Sequence, residues 1–326
     1  MTFTNAERRR LLSVGLSAAA LMGLPRLGGA QEKTVKFILP NGAGSGVDTI
    51  TRTMAPAFGK ALGVNVVVDN QPGAGGIVGT QTLVRSPADG STLSIVSNNH
   101  VIYPSLHKSL PFDPIADITP ISVLGTTPLV LVVNPAKVPA TNAKELVAFL
   151  KAKPDAYNYA SSGNGTILHL AAEMFIDEAG VQVKHIPYKG VGPMVTDIIG
   201  GQVEFGVLAL PSVQGHIKSG AVRAIGVTGA HRTPALDLAT FAEQGMPGYV
   251  VDAWFGFIGP AKIPAAEVKR LHAAIVAAFN TPEVKEAMAR QGNAINVQSP
   301  EAAAQFFKVE MGKYAALVKK AGLKLD

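Results

Sequence analysis

The sequence predicts an α/β protein of two lobes, each a mixed, mostly parallel sheet covered by helices, with crossover strands as the hinge. Three observations carry this. From Lys33 onward, short β-rich runs alternate with helical stretches, the pattern that builds sheets covered by helices. The 326 residues exceed what a single core usually serves. Finally, 47% hydrophobic against 16% charged residues marks a compact chain without the charge excess of a disordered one.

Near its start the chain carries Arg8-Arg9-Arg10, an apolar stretch LLSVGLSAAALMGL and then small residues before Gln31. This is the layout of an export signal, so residues 1–30 are expected to be removed near Ala30. The apolar run is shorter than the roughly 20 residues that span a bilayer. The adjacent arginines fit either the general secretory or the twin-arginine route, and both stay open. The chain has no cysteine, which excludes disulfides, thiolate catalysis, Cys-ligated zinc and a lipoprotein anchor. Of the 29 basic and 23 acidic residues, Arg8, Arg9, Arg10, Arg26 and Glu7 fall in the signal, leaving 25 and 22. The remaining charges are scattered singly, so no nucleic-acid partner is expected.

Strands are expected at 36–40, 64–69, 92–97, 129–134, 157–160, 183–188, 205–210 and 223–229, several apolar on both faces and therefore central. Helical periodicity marks 47–62, 142–152, 166–179, 264–280 and 299–321. The C-terminal stretch, from about Pro260, reads as helices only and needs a sheet to pack on. That assigns residues 31–130 plus 253–326 to lobe 1 and 131–252 to lobe 2.

Two strand-to-helix loops stand out. Pro40-Asn41-Gly42-Ala43-Gly44-Ser45-Gly46 precedes Val47 and Asp48, and its glycines let backbone N–H groups approach a ligand at a helix N-terminus suited to an anion. The spacing is neither G-x-G-x-x-G nor a P-loop. In the other lobe Ser161-Ser162-Gly163-Asn164-Gly165-Thr166 leads into a helix carrying His169, again with short polar side chains and helix-start N–H groups. Each loop alone could be a tight turn; as a pair they suggest a ligand held between lobes. Ser97-Asn98-Asn99 follows a strand, where open α/β sheets place ligand-contacting loops, and is also simply a good turn. The Gly-rich turn at 71–76 is read as structural, and the lone Trp254 as core.

No nucleophile elbow or zinc-binding helix motif occurs, and the seven histidines are scattered. No catalysis, metal or cofactor is expected.

Several motifs in order, Asn70-Gln71-Pro72-Gly73-Ala74-Gly75-Gly76, Leu110-Pro111-Phe112-Asp113-Pro114, Asn158 to Thr166 with His169-Leu170, Pro187-Tyr188-Lys189-Gly190 and Gly200-Gly201-Gln202-Val203, resemble the Bug-type (TctC-like) extracytoplasmic solute receptors of tripartite tricarboxylate transporters. The resemblance covers nearly the whole mature chain. It implies a periplasmic-binding-protein fold of type II, a monomer in the periplasm, a small carboxylate ligand and a two-subunit membrane transporter as partner. Two other functions stay open: a ligand-binding sensor feeding a two-component kinase, and a secreted hydrolase. Relatives usually carry an aromatic residue and a Thr in the first loop, absent here, and an Asp-Asn pair where this chain has Leu208 and Ala209. An aromatic acid or linear dicarboxylate is therefore expected over an amino acid. The expected ligand-binding set is Asn41, Gly44, Ser45, Gly46, Val47, Asp48, Ser97, Asn98, Asn99, Ser161, Asn164, Gly165, Thr166, His169, Leu208 and Ala209, with Asp48 bracing its loop, because like charges repel.

Overall fold

The computed structural model describes residues 33–323; the export signal and its cleavage near Ala30 lie outside the described residues. Strands β1 (Thr34–Leu39), β2 (Asn65–Asn70) and β3 (Thr92–Ser97) alternate with helices α1 (Gly46–Leu62), α2 (Ile77–Val84) and α3 (Asn99–Leu106). Strand β4 (Ile118–Thr127) then passes into β5 (Leu129–Val133) across Pro128. A second alternation follows: α4 (Ala143–Lys151), β6 (Asn158–Ser161), α5 (Ile167–Ala179), β7 (Lys184–Pro187), α6 (Val191–Ile199), β8 (Phe205–Ala209), α7 (Leu210–Lys218) and β9 (Arg223–Val227). The chain returns through β10 (Ala253–Pro260) and finishes with α8 (Ala265–Asn280), α9 (Pro282–Arg290), β11 (Ala294–Ile295) and α10 (Pro300–Lys320).

These strands form two sheets, ordered β11-β4-β10-β3-β1-β2 and β7-β6-β8-β5-β9. Each contains the same parallel unit, with the earliest strand of three in the middle: β1 between β2 and β3, and β6 between β7 and β8. Every antiparallel pairing involves β4, β5 or β10, the strands beside the two passages between sheets. The sheets are thus more evenly mixed than expected, because a strand that crosses between sheets enters its new sheet against the local direction.

Central position explains the strand sequences. All of LVLVV in β5 and FGVLA in β8 is buried, so these strands have no polar face to alternate. Helix α1 buries Val47, Ile50, Met54 and Phe58 at helical spacing, is capped by Ser45, and stops at the left-handed Gly63. Beneath it the rings of Phe37, Phe58 and Phe257 lie 5.3–5.6 Å apart between centroids. Helix α8 packs on α1, and α10 packs on β4 and α3, so the last helices cover the first sheet.

The sequence reading missed β4, β10 and β11, and the stretch after Pro260 is not purely helical. Strand β4 carries Pro120 and Gly125, and β10 carries Gly256, Gly259 and Pro260. Such residues weaken local strand signals; pairing along the whole length of β10, through two register shifts, makes the strands. The helix expected after the turn at 71–76 is α2, while α3, α6, α7 and α9, of 8 or 9 residues, were missed, since about two turns give a weak period. Trp254 is core, with its indole N–H donating to Glu310 Oε2 at 2.8 Å.

Candidate functional site

Both Gly-rich loops end in a side-chain cap. At α1, Ser45 Oγ accepts from the Asp48 N–H at 3.2 Å. Asp48 is buried and bent back into the loop. Its Oδ2 accepts from Gly44 N at 3.0 Å, and its Oδ1 accepts from Arg52 Nε at 2.9 Å and Asn70 Nδ2 at 3.0 Å. Asn70 Nδ2 also reaches Asn41 O at 3.0 Å. A carboxylate thus ties helix, loop and the end of β2 together.

At α5 the corresponding parts are neutral. Thr166 Oγ1 accepts from His169 N at 3.3 Å and donates to Gly163 O at 2.9 Å. His169 Nδ1 accepts from Gly165 N at 3.1 Å, which fixes that nitrogen as unprotonated. His185 stacks on His169 with centroids 4.0 Å apart, and its Nε2 lies 2.6 Å from Ser161 Oγ. Burial lowers the pKa of His169 to about 3, helped by His185, and burial lowers that of His185 to about 4. Behind them the Tyr159 hydroxyl donates to Glu173.

These loops face each other across a cleft of about 550 Å³ between the two sheets. Its walls are residues 40–42 and Ser45, 72–76, 162–164 with Thr166, and 187–191, together with Asn99 and His107. Among the described residues no Asp or Glu lines it, and Lys189 is its one side chain with a permanent positive charge. A smaller annex of about 40 Å³ shares Asn41, Ser45, Asn99, Ser162 and Val191 with the cleft and runs down to Thr127, Leu129, Ala253 and Phe255, where the chain passes between sheets. The starts of α1, α5 and α7 converge on this annex through Gly46, Val47, Ile167, Leu168, Ala209 and Ser212. First-turn N–H groups lack partners within their own helix, so such a convergence favours negative charge.

The walls touch. A Cβ on Gly75 would lie 3.1 Å from Asn164 O, and one on Gly42 would lie 3.7 Å from Gly190 Cα. Asn99 bridges them: its Nδ2 donates to Gly75 O at 3.1 Å, while its Oδ1 accepts the first N–H of α5, from Ile167, at 2.8 Å.

Asn41, Ser45, Gly46, Val47, Ser97, Asn99, Asn164, Thr166 and Ala209 line the cleft or annex. Gly44, Asp48, Ser161, Gly165 and His169 lie one layer behind, in the bracing described above. Asn98 and Leu208 depart from expectation. Asn98 is fully buried, donating to Tyr314 Oη and to Asp252 O and accepting from Trp254 N, so it fastens α3, β10 and α10 to one another. Leu208 is fully buried, and strand alternation sends it to the face opposite Ala209.

Conversely, residues 72–76, read as a structural turn, form part of the cleft wall. His107, Ser162, Tyr188, Lys189 and Gly190 also line it unanticipated, as do Thr127, Ser212 and Phe255 in the annex. The Pro-Tyr-Lys-Gly run directly after a strand was the available signal for 187–190, since loops at strand carboxyl ends face the crevice in such sheets.

Two sheets built on the same parallel unit, joined by two passages and enclosing a cleft, define a two-lobed periplasmic-binding-protein fold. The structure of the periplasmic binding protein BugD superposes with a TM-score of 0.86 at 32% identity, over 90% of this chain and 99% of that one. The R. palustris protein Rpa4515, solved with adipate, matches with a TM-score of 0.86 at 28% identity, over 90% and 98%. BugT of Bordetella pertussis is 34% identical over 298 residues, 90% of each chain. The model of the tripartite tricarboxylate transporter family receptor, TctC, matches residues 50–323. The chain belongs to this family of Bug-type receptors, which bind solutes and are not enzymes.

Proposed function

We propose that the protein is exported to the periplasm after cleavage near Ala30, captures a small organic carboxylate between lobe 1 (31–130 plus 253–326) and lobe 2 (131–252), and delivers it as a monomer to a two-subunit membrane transporter. The observation that carries this reading is the cleft itself: the starts of α1 and α5 border it and that of α7 borders its annex, Lys189 lines it and, among the described residues, no acidic side chain does. Ser45, Gly46 and Val47 serve from one wall and Asn164 and Thr166 from the other, with Asp48, Ser161 and His169 holding the loops in shape. A ligand that touches both walls favours the closed form by its extra contacts there, and the transporter reads that form.

An aromatic acid or a linear dicarboxylate suits the site better than an amino acid. The annex is walled by Val47, Leu129, Leu168, Ala209 and Phe255, which give an ammonium group no acidic partner. Adipate with Rpa4515 supports the same ligand class. The test is a thermal-shift series on the exported protein with adipate, malate, benzoate, citrate, aspartate and glutamate. Saturable stabilisation by a dicarboxylate or aromatic acid is expected, growing with concentration by mass action. Stabilisation by aspartate or glutamate alone would overturn the ligand preference, and none from any acid would overturn the carboxylate reading.

A further inference from the structure

At the bottom of the annex two hydroxyls are left over. Thr127 is fully buried at the end of β4, one residue before Pro128 carries the chain into β5. Ser212 lies in the first turn of α7. Both line the annex, and among the described residues neither Thr127 Oγ1 nor Ser212 Oγ has a hydrogen-bond partner. A hydroxyl sealed in a protein without a partner is destabilising, because it has given up water and gained nothing. The two come from different sheets, because β4 is in the first and α7 follows β8 of the second.

The geometry points to a subsite at the hinge in which Thr127 and Ser212 donate their hydroxyl protons to one carboxylate group of the ligand. The inference rests on the receptor reading above and deepens it by naming the residues that hold the inner end of the ligand. Size limits the occupant: about 40 Å³ takes a carboxylate but not a ring. The apolar body must then lie in the larger chamber, towards Lys189. Charge agrees, since the starts of α1, α5 and α7 border the annex and, among the described residues, no acidic side chain lines it. Placement adds a consequence for motion, because Thr127 pairs with Ala253 at the start of the returning strand β10. A group bound to Thr127 therefore touches both passages between the sheets, where closure pivots.

Isothermal titration of the exported protein with adipate, malate and benzoate tests this. Thr127→Val keeps the shape and removes the hydroxyl; Thr127→Ser restores it; Ser212→Ala removes the second. The expected result is about a tenfold loss of affinity for Thr127→Val and for Ser212→Ala, with Thr127→Ser within threefold of the wild type. The ligand-free melting temperature of Thr127→Val should equal or exceed that of the wild type, because an unpartnered buried hydroxyl has gone. Affinity within twofold of wild type in both Thr127→Val and Ser212→Ala would overturn the subsite and leave the receptor reading standing. Failure of the wild type to bind any of the three probes would overturn both.

Discussion

The starts of α1 and α5 have the same local design and different electrostatics. Each follows a parallel strand through a Gly-rich loop and is capped by a hydroxyl, Ser45 in one case and Thr166 in the other. In α1 the third position is Asp48, whose carboxylate sits against the helix start and is held by Arg52 and Asn70. In α5 the third position is His169, kept neutral by burial, and its first turn has no acidic residue. A carboxylate in the first turn offsets the positive end of its own helix. The two walls therefore divide: α1 carries a built-in anion at its start, and α5 carries none.

Substituting Thr166 should break this division most severely. Thr166→Trp fills the cleft at α5 and removes a cap worth about 1 kcal/mol. Titration should show at least a hundredfold loss of acid affinity, with the fold retained at a melting temperature a few degrees lower; unchanged affinity would remove α5 from the site. Asp48→Ala makes the complementary test. It strips Gly44, Arg52 and Asn70 of a shared acceptor and should cost about 2 kcal/mol in urea denaturation, while acid affinity stays within threefold. A large affinity loss with no change in stability would invert the comparison.

The third prediction concerns pH. His169 has a folded pKa of about 3 against an ordinary 6.5, so the unfolded chain binds its proton first. Its neutral form is free of this penalty above about pH 6.5, and stability falls as pH drops from there towards 3. His100, buried at α3 with a pKa of about 4, adds to the same trend. Urea midpoints should fall between pH 7.5 and 5, and His169→Gln should flatten that fall by about 1–2 kcal/mol. The smallest effect is expected from Arg52→Met. Arg52 is half exposed, so its bond to Asp48 is worth about 0.5 kcal/mol and should weaken further in high salt.

Legibility in the sequence follows the same physical divide between local and remote causes. Strands β5 and β8 could be read because burial on both faces leaves an unbroken apolar run. The two capped loops could be read because glycine, a short polar cap and a following helix lie within about seven residues of each other. Strands β4 and β10 could not, since their pairing is what overrides their glycines and prolines. The loops 72–76 and 187–190 were visible as motifs, but which way a loop faces depends on the other sheet. Asn98 and Asn99 show the limit most sharply. They are identical neighbours, yet Asn98 is locked among Trp254, Asp252 and Tyr314 while Asn99 spans the cleft. No local signal distinguishes them. Thr127 and Ser212 are a different case, because the lack of a partner is a property of the surroundings.

The Asn99 bridge also bears on how faithfully the receptor reports its cargo. By giving α5 a side-chain oxygen from the opposite wall, it lets the jaws meet with one of their polar groups already satisfied. An empty molecule can then visit the shape that a loaded one holds. The energy gap between those two states sets a background: a visit of 1% costs only about 2.7 kcal/mol, and the ligand must supply that difference and more to be noticed. A weak bridge makes a quiet receptor that demands much of its ligand; a strong one makes a sensitive receptor that also presents itself empty. On the receptor reading proposed above, Asn99 is therefore a setting for signal against noise, built from a single amide.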